Sequence, residues 1–306
     1  MARPLCHSGY RLAQSAIGVV VRDEMEVAFR PSRRTIFDSL TRLDNDRAFG
    51  LRHLARAVSL RPQLVAFRDS LARSSPVAEV VGCAARFLPP GATSVGEPPL
   101  VEFALFRPDG YALPAGVVVD LLHAYESNVI LFLAHEFHHT YLGRINTQPV
   151  AATNPADQML RAALWALRNE AIADLIDKSF PFASPNPALA AYVRRYNAEY
   201  AQTPTTIHVL DSLLAGVLDD STRMAAAGQR VRALLWSSGH ANGAFIAREI
   251  YETFGVDSLL PAIGSPAAFL RTYGAAERIR GNASPFSSKA ISTIELLERR
   301  YGVLKP

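Results

Sequence analysis

Cysteine, lysine and long apolar runs are all scarce in this 306-residue chain. Cys6 and Cys83 are the only cysteines, too few and too far apart for a disulfide framework or a four-cysteine metal site. They suit a reducing compartment. Lysine occurs only at Lys178, Lys289 and Lys305, and arginine supplies the rest of the 32 basic residues. With the many alanines, that bias fits a GC-rich genome. Against 28 acidic residues the formal net charge is +4. The excess is spread along the chain, with no block of like charge and no basic stripe interleaved with aromatics, which argues against a nucleic-acid partner. No segment approaches the roughly 18 consecutive apolar residues of a membrane helix. Residues 16–21 are apolar, but Arg22, Asp23 and Glu24 follow at once, so the run is too short for a secretory signal. The expectation is a soluble, cytoplasmic protein with neither nucleic acid nor membrane as partner. Nothing in the pattern sets an oligomeric state.

What is present is an ordinary globular composition, 49% hydrophobic and 20% charged, long enough to bury a core beside a cleft. Residues 16–21 are a strand candidate. Residues 35–88 carry apolar positions at helical spacing, among them Phe37, Leu40, Leu43, Leu51, Leu54, Ala55 and Val58. The alternation at 100–106 and a second strand candidate at 117–122, with a turn at Pro108, Asp109 and Gly110, predict a small sheet, read as a hairpin with a long connection. Beyond Ser127, a plausible N-cap, the chain reads as helical: 127–141, then 157–178, then helices at 188–200, 205–218, 221–236, 242–254, 256–262, 266–273 and 287–300. The chain thus divides into a helical region with a small sheet (1–126), a pair of long helices (127–180) and a helical remainder (181–306), expected to work as one continuous unit.

The chemistry is carried by residues 131–140, Leu-Phe-Leu-Ala-His-Glu-Phe-His-His-Thr. His135 and His139 are four apart, so a helix sets both imidazoles on one face, one turn apart, within reach of one metal ion. Glu136 is turned by roughly 100° around that helix. It misses the metal but reaches a water held there, as the general base of an HExxH site does. The pattern calls for a third ligand. A glycine and a further histidine downstream would supply it in one branch of such sites, but those positions hold Leu142 and Ile145. The other solution is a glutamate on a following helix. Asn169 and Glu170 lie in the middle of the next predicted helix, with Glu170 placed 31 residues after His139, enough for a loop and a return helix. Two imidazoles and one carboxylate suit zinc and leave one position open, as a catalytic site requires. Asp174, one turn beyond Glu170, can accept the far ring N–H of a zinc-bound histidine.

The pair His135–His139 and Asn169–Asp174 resembles the gluzincin metallopeptidases, whose signature is HExxH followed by Asn-Glu-x-x-x-Asp on a second helix. The resemblance covers about residues 128–178. It implies one zinc held by His135, His139 and Glu170, with Glu136 as base and Asn169 and Asp174 supporting the ligands. Gly239-His240-Ala241-Asn242-Gly243 widens the likeness: it is similar to a bacterial family of zinc-dependent peptidases in which a GHxxG-like turn follows the zinc helices. The Gly-x-Met-Glu-Asn segment of gluzincin aminopeptidases is absent. The implied fold is mainly α with a small β-sheet (α+β), zincin-like, with the C-terminal helices closing the cleft and a strand aligning an extended substrate. The 100–106 and 117–122 strands are the candidates for that role.

Other polar residues are weighed beside these. His138 lies off the ligand stripe and reads as a solvent-facing or supporting residue. His240 is either a loop histidine or a donor to the oxyanion formed during hydrolysis, with Tyr141, Tyr251 and Tyr273 as substitutes. His7, His53, His123 and His208 have no partner spacing. The expected activity is hydrolysis of a peptide or a small amide. Alternatives are a zinc-dependent hydrolase or lyase of a small metabolite, and a non-catalytic module on the same scaffold, against which the intact Glu136 argues.

Overall fold

The computed structural model describes residues 46–105, 108–112, 116–145, 154–283 and 285–302. The strand expected at 16–21 and the helical positions Phe37, Leu40 and Leu43 lie outside them. Within them the protein is mainly helical with one small mixed sheet, and its residues group into two compact units.

The first unit takes in residues up to Val81 together with Glu97–Thr140 and Ser184–Ala191. It holds helices α1 (Asp46–Ser59) and α2 (Arg61–Ser74) and strands β1 (Leu100–Ala104), β2 (Gly110–Ala112) and β3 (Gly116–Asp120). A short helix α4 (Leu121–Tyr125) follows, then the greater part of α5 (Val129–Ile145). Instead of a hairpin, the sheet has the order β1-β3-β2, with β1 parallel and β2 antiparallel to β3. The three-residue β2 is too short to leave a sequence signal. β3 is central and buried throughout, which is why its Val117-Val118-Val119 run shows no polar alternation. The strand ends at Asp120 rather than 122, because that carboxylate accepts the His123 N–H at 2.8 Å and caps α4. Asp120 also meets the buried His53 Nε2 at 2.8 Å, giving that histidine a structural partner the sequence did not indicate. Leu64, Leu121 and Leu122 form the core beside it with Phe67 and Phe103.

The second unit contains Gly82–Gly96, Tyr141–Ala183 and Tyr192–Pro306. Its axis is α6 (Pro155–Asp177), capped by Asn154. Helices α8 (Met224–Leu234) and α9 (His240–Phe254) both pack along α6, α10 (Pro266–Ile279) packs on α9, and α11 (Ser288–Tyr301) meets α10 and α6. Tyr301 and Arg300 bond the buried Asp157 at 2.7 and 2.9 Å, fixing α11 to the start of α6. α7 (Ala190–Asp219) is a single helix with Pro204 inside it, where the sequence suggests two helices. Proline removes one backbone bond. The buried stripe Tyr196, Tyr200, Thr203, Ile207, Leu210 and Leu214 runs straight through that position and keeps the helix continuous. The division between the units falls inside α5, after Thr140. No described helix is long and apolar enough to cross a membrane.

Candidate functional site

Asn128, not Ser127, opens α5: its Oδ1 accepts the Leu131 N–H at 3.3 Å, while Ser127 Oγ bonds back to the His123 carbonyl. From Phe132 to Leu142 every residue is buried except His139, which keeps partial exposure. His138 is fully buried, which excludes the solvent-facing one of its two readings and leaves the supporting one; the helix is apolar around most of its circumference and leaves little of it wet. His135 and His139 stand one turn apart with their Nε2 atoms 3.1 Å from each other and their rings inclined at 73°. At that separation both nitrogens can reach one metal ion. Glu136, 7% exposed, projects beside them and lies against Gly110, the first residue of β2. Since β3 pairs on both sides, it offers no edge for a peptide, which removes the 117–122 candidate. β1 and β2 are the edge strands among the described residues, and β2 is the one beside Glu136.

The other predicted residues gather in the second unit. Glu170 and Asp174 project from α6 one turn apart, and His240 is the first residue of α9. The His240 Nδ1 meets the two Asp174 carboxylate oxygens at 3.0 and 3.1 Å, and its Nε2 lies 3.4 Å from Glu170 Oε2. Asp174 is completely buried and also accepts from Lys178 Nζ at 2.6 Å and from the Tyr196 hydroxyl at 3.2 Å. Burial opposes the charge on Lys178, but Asp174 and Asp177 together outweigh it and hold the ammonium well above the ordinary lysine range. Burial likewise opposes protonation of His240, and Asp174 and Glu170 outweigh it, raising that imidazole. Burial, reinforced by Asp174, pushes Tyr196 up, so it remains a neutral donor. Asn169 precedes Glu170 with its Oδ1 buried and without a hydrogen-bond partner among the described residues.

Two local features bring His240 onto α6. Ser237 (φ 49°), Ser238 (φ 58°) and Gly239 (φ 82°) are three consecutive left-handed residues, a conformation costing about 1–2 kcal/mol per non-glycine residue. The Ser237 side chain is hydrogen-bonded to Tyr192. Beyond the turn, α9 packs against α6 through glycine: a Cβ on Gly243 would run into the Leu167 carbonyl oxygen and come within 2.8 Å of the Ala171 Cβ. Gly243→Ala is therefore expected to destabilise the protein by about 1–3 kcal/mol, as overpacking does. Gly82→Ala, in α3 (Val77–Ala85) with nothing within 4 Å of an added Cβ, should stabilise it by about 0.5–1 kcal/mol. Denaturant unfolding of the two variants checks the pair of signs.

The tyrosines weighed as substitutes for His240 have other surroundings. Tyr273 is buried between Phe245 and Phe286, and the Tyr251 hydroxyl is bonded by Arg86. Tyr141 is fully buried, and desolvation raises its hydroxyl. Lys178 and Tyr196 went unrecognised in the sequence. Lys178 had a readable signal, since it follows Asp174 by one helical turn. Tyr196 had none.

A family model matches residues 9–278. The chain belongs to the family described as "Putative zinc dependent peptidase (DUF5700)". The match spans α5 and α6 and extends through α9, so His135, Glu136, His139, Glu170, Asp174 and His240 all fall inside the family region. No curated protein and no solved structure matches the chain.

Proposed function

We propose that the protein is a gluzincin-like zinc peptidase in which His135, His139 and Glu170 hold one zinc ion and Glu136 is the general base. The observation that carries this reading is the convergence of the His135 and His139 Nε2 atoms, 3.1 Å apart, on the helix that also presents Glu136. The donor set fits the metal: two imidazoles and one carboxylate are a zinc set with room for a substrate. The family description supports zinc and peptidase chemistry at the coarser level.

When bound, zinc supplies Lewis acidity that polarises the scissile carbonyl and lowers the pKa of water. Glu136 takes the proton of the attacking water on its carboxylate and delivers it to the leaving amine. His240 donates a hydrogen bond to the carbonyl oxygen as negative charge develops there. Its ring is held for that task by Asp174, which Lys178 and Tyr196 in turn hold in place. β2, an edge strand beside Glu136, aligns an extended peptide by adding it to the sheet.

The deciding experiment couples elemental analysis of the purified protein to digestion of a broad peptide library. The expected result is one zinc per chain and peptide cleavage that stops when a chelator removes the metal. Zinc without cleavage of any peptide would overturn the peptidase assignment in favour of a small-metabolite hydrolase or lyase. Absence of zinc would overturn the metal assignment itself.

A further inference from the structure

We infer that Gly110 is a positioning residue for Glu136: the missing side chain at 110 makes the space in which the carboxylate rests. The inference builds on the assignment of Glu136 as general base. Glycine at this position is not required by the backbone, because Gly110 is not among the residues with positive φ. It is required by its neighbour. A Cβ at 110 would lie 2.6 Å from Glu136 Oε1, 2.8 Å from its Cδ and 3.0 Å from its Cγ, whereas ordinary contact begins at 3.4 Å.

The strand cannot retreat to relieve that overlap. Gly110 is paired with Val119 of β3, its N–H donates to Asp109 Oδ1 at 2.9 Å, and the Asp109 carbonyl accepts the Asp120 N–H at 3.0 Å. Glu136, in contrast, is held at its backbone by α5 but meets Gly110 through the flexible end of its side chain. An alanine at 110 therefore moves the carboxylate and leaves the fold in place. A displacement of roughly 1 Å at a reacting group is enough to cost about 100-fold in rate. Position 110 thus acts on the reaction through Glu136, with no contact of its own to the reacting atoms.

The test compares wild type, Gly110→Ala, Glu136→Gln and the double variant in zinc content, thermal melting, kcat and KM. It also includes a crystal structure of Gly110→Ala. Gly110→Ala is expected to keep its zinc and melting temperature, to lose about 10–100-fold in kcat with little change in KM, and to show the Glu136 carboxylate displaced. In the Glu136→Gln background the alanine should cause no further loss, because the base it displaces is already gone. A near-normal kcat for Gly110→Ala, a multiplicative loss in the double variant, or an unmoved carboxylate would each overturn the inference. If Gly110→Ala melts early, adding Glu136→Asp, shorter by one methylene, must restore the melting temperature; failure to do so also overturns it. The reading of Glu136 as base fails separately, if wild type cleaves nothing, and the crystal structure still decides the steric claim.

Discussion

Replacing His135 and His139 together by alanine is expected to remove stoichiometric zinc and with it all measurable hydrolysis. The histidines supply two of the three proposed ligands from one helical turn, with their Nε2 atoms already facing each other at 3.1 Å. Pre-set donors of this kind cost little ordering when a metal binds. A remaining glutamate cannot by itself complete a zinc set. Loss of the ion should also lower thermal stability, because a ligand that binds only the folded state stabilises it by mass action. Metal analysis of the purified variant, together with its melting curve beside that of chelator-treated wild type, measures both effects. Full zinc occupancy in the double variant would place the metal elsewhere.

Glu136→Gln should give the opposite separation, with zinc and fold kept and turnover lost. Glutamine has nearly the shape of glutamate, so the contact with Gly110 and the surrounding burial are preserved. It cannot accept the proton from the attacking water. The expected loss is at least ~100-fold in kcat, the scale of a general base, equivalent to about 2.7 kcal/mol of transition-state stabilisation. Steady-state kinetics on the best peptide from the library digest, alongside zinc analysis, provides the measurement. Turnover near that of wild type would remove Glu136 from the mechanism.

Parts of the fold were readable for a simple reason. The helices α5 and α6 are long, and the chemistry they carry repeats at four-residue spacing, a property of a single turn. β2 was not readable because three residues, Gly110-Tyr111-Ala112, make no pattern. The orientation of β1 was missed for a related cause: parallel pairing depends on the connection that carries the chain back, not on either strand's own residues. The break expected near Pro204 followed a correct local penalty that burial along α7 overrides.

The sequence by itself determined the HExxH turn, with His135 and His139 on one face and Glu136 beside them, and the one-turn spacing of Glu170, Asp174 and Lys178. These are facts of helical periodicity, in which each residue turns roughly 100° whatever the rest of the chain does. Only the tertiary structure decided what those residues touch. Asp174 receives His240 from 66 positions away, through a left-handed serine turn and a glycine at 243 that let two backbones meet. Glu136 owes its place to an absent side chain on a strand of three residues. Such contacts depend on the volume left over when distant segments pack, and no local rule of spacing carries that volume.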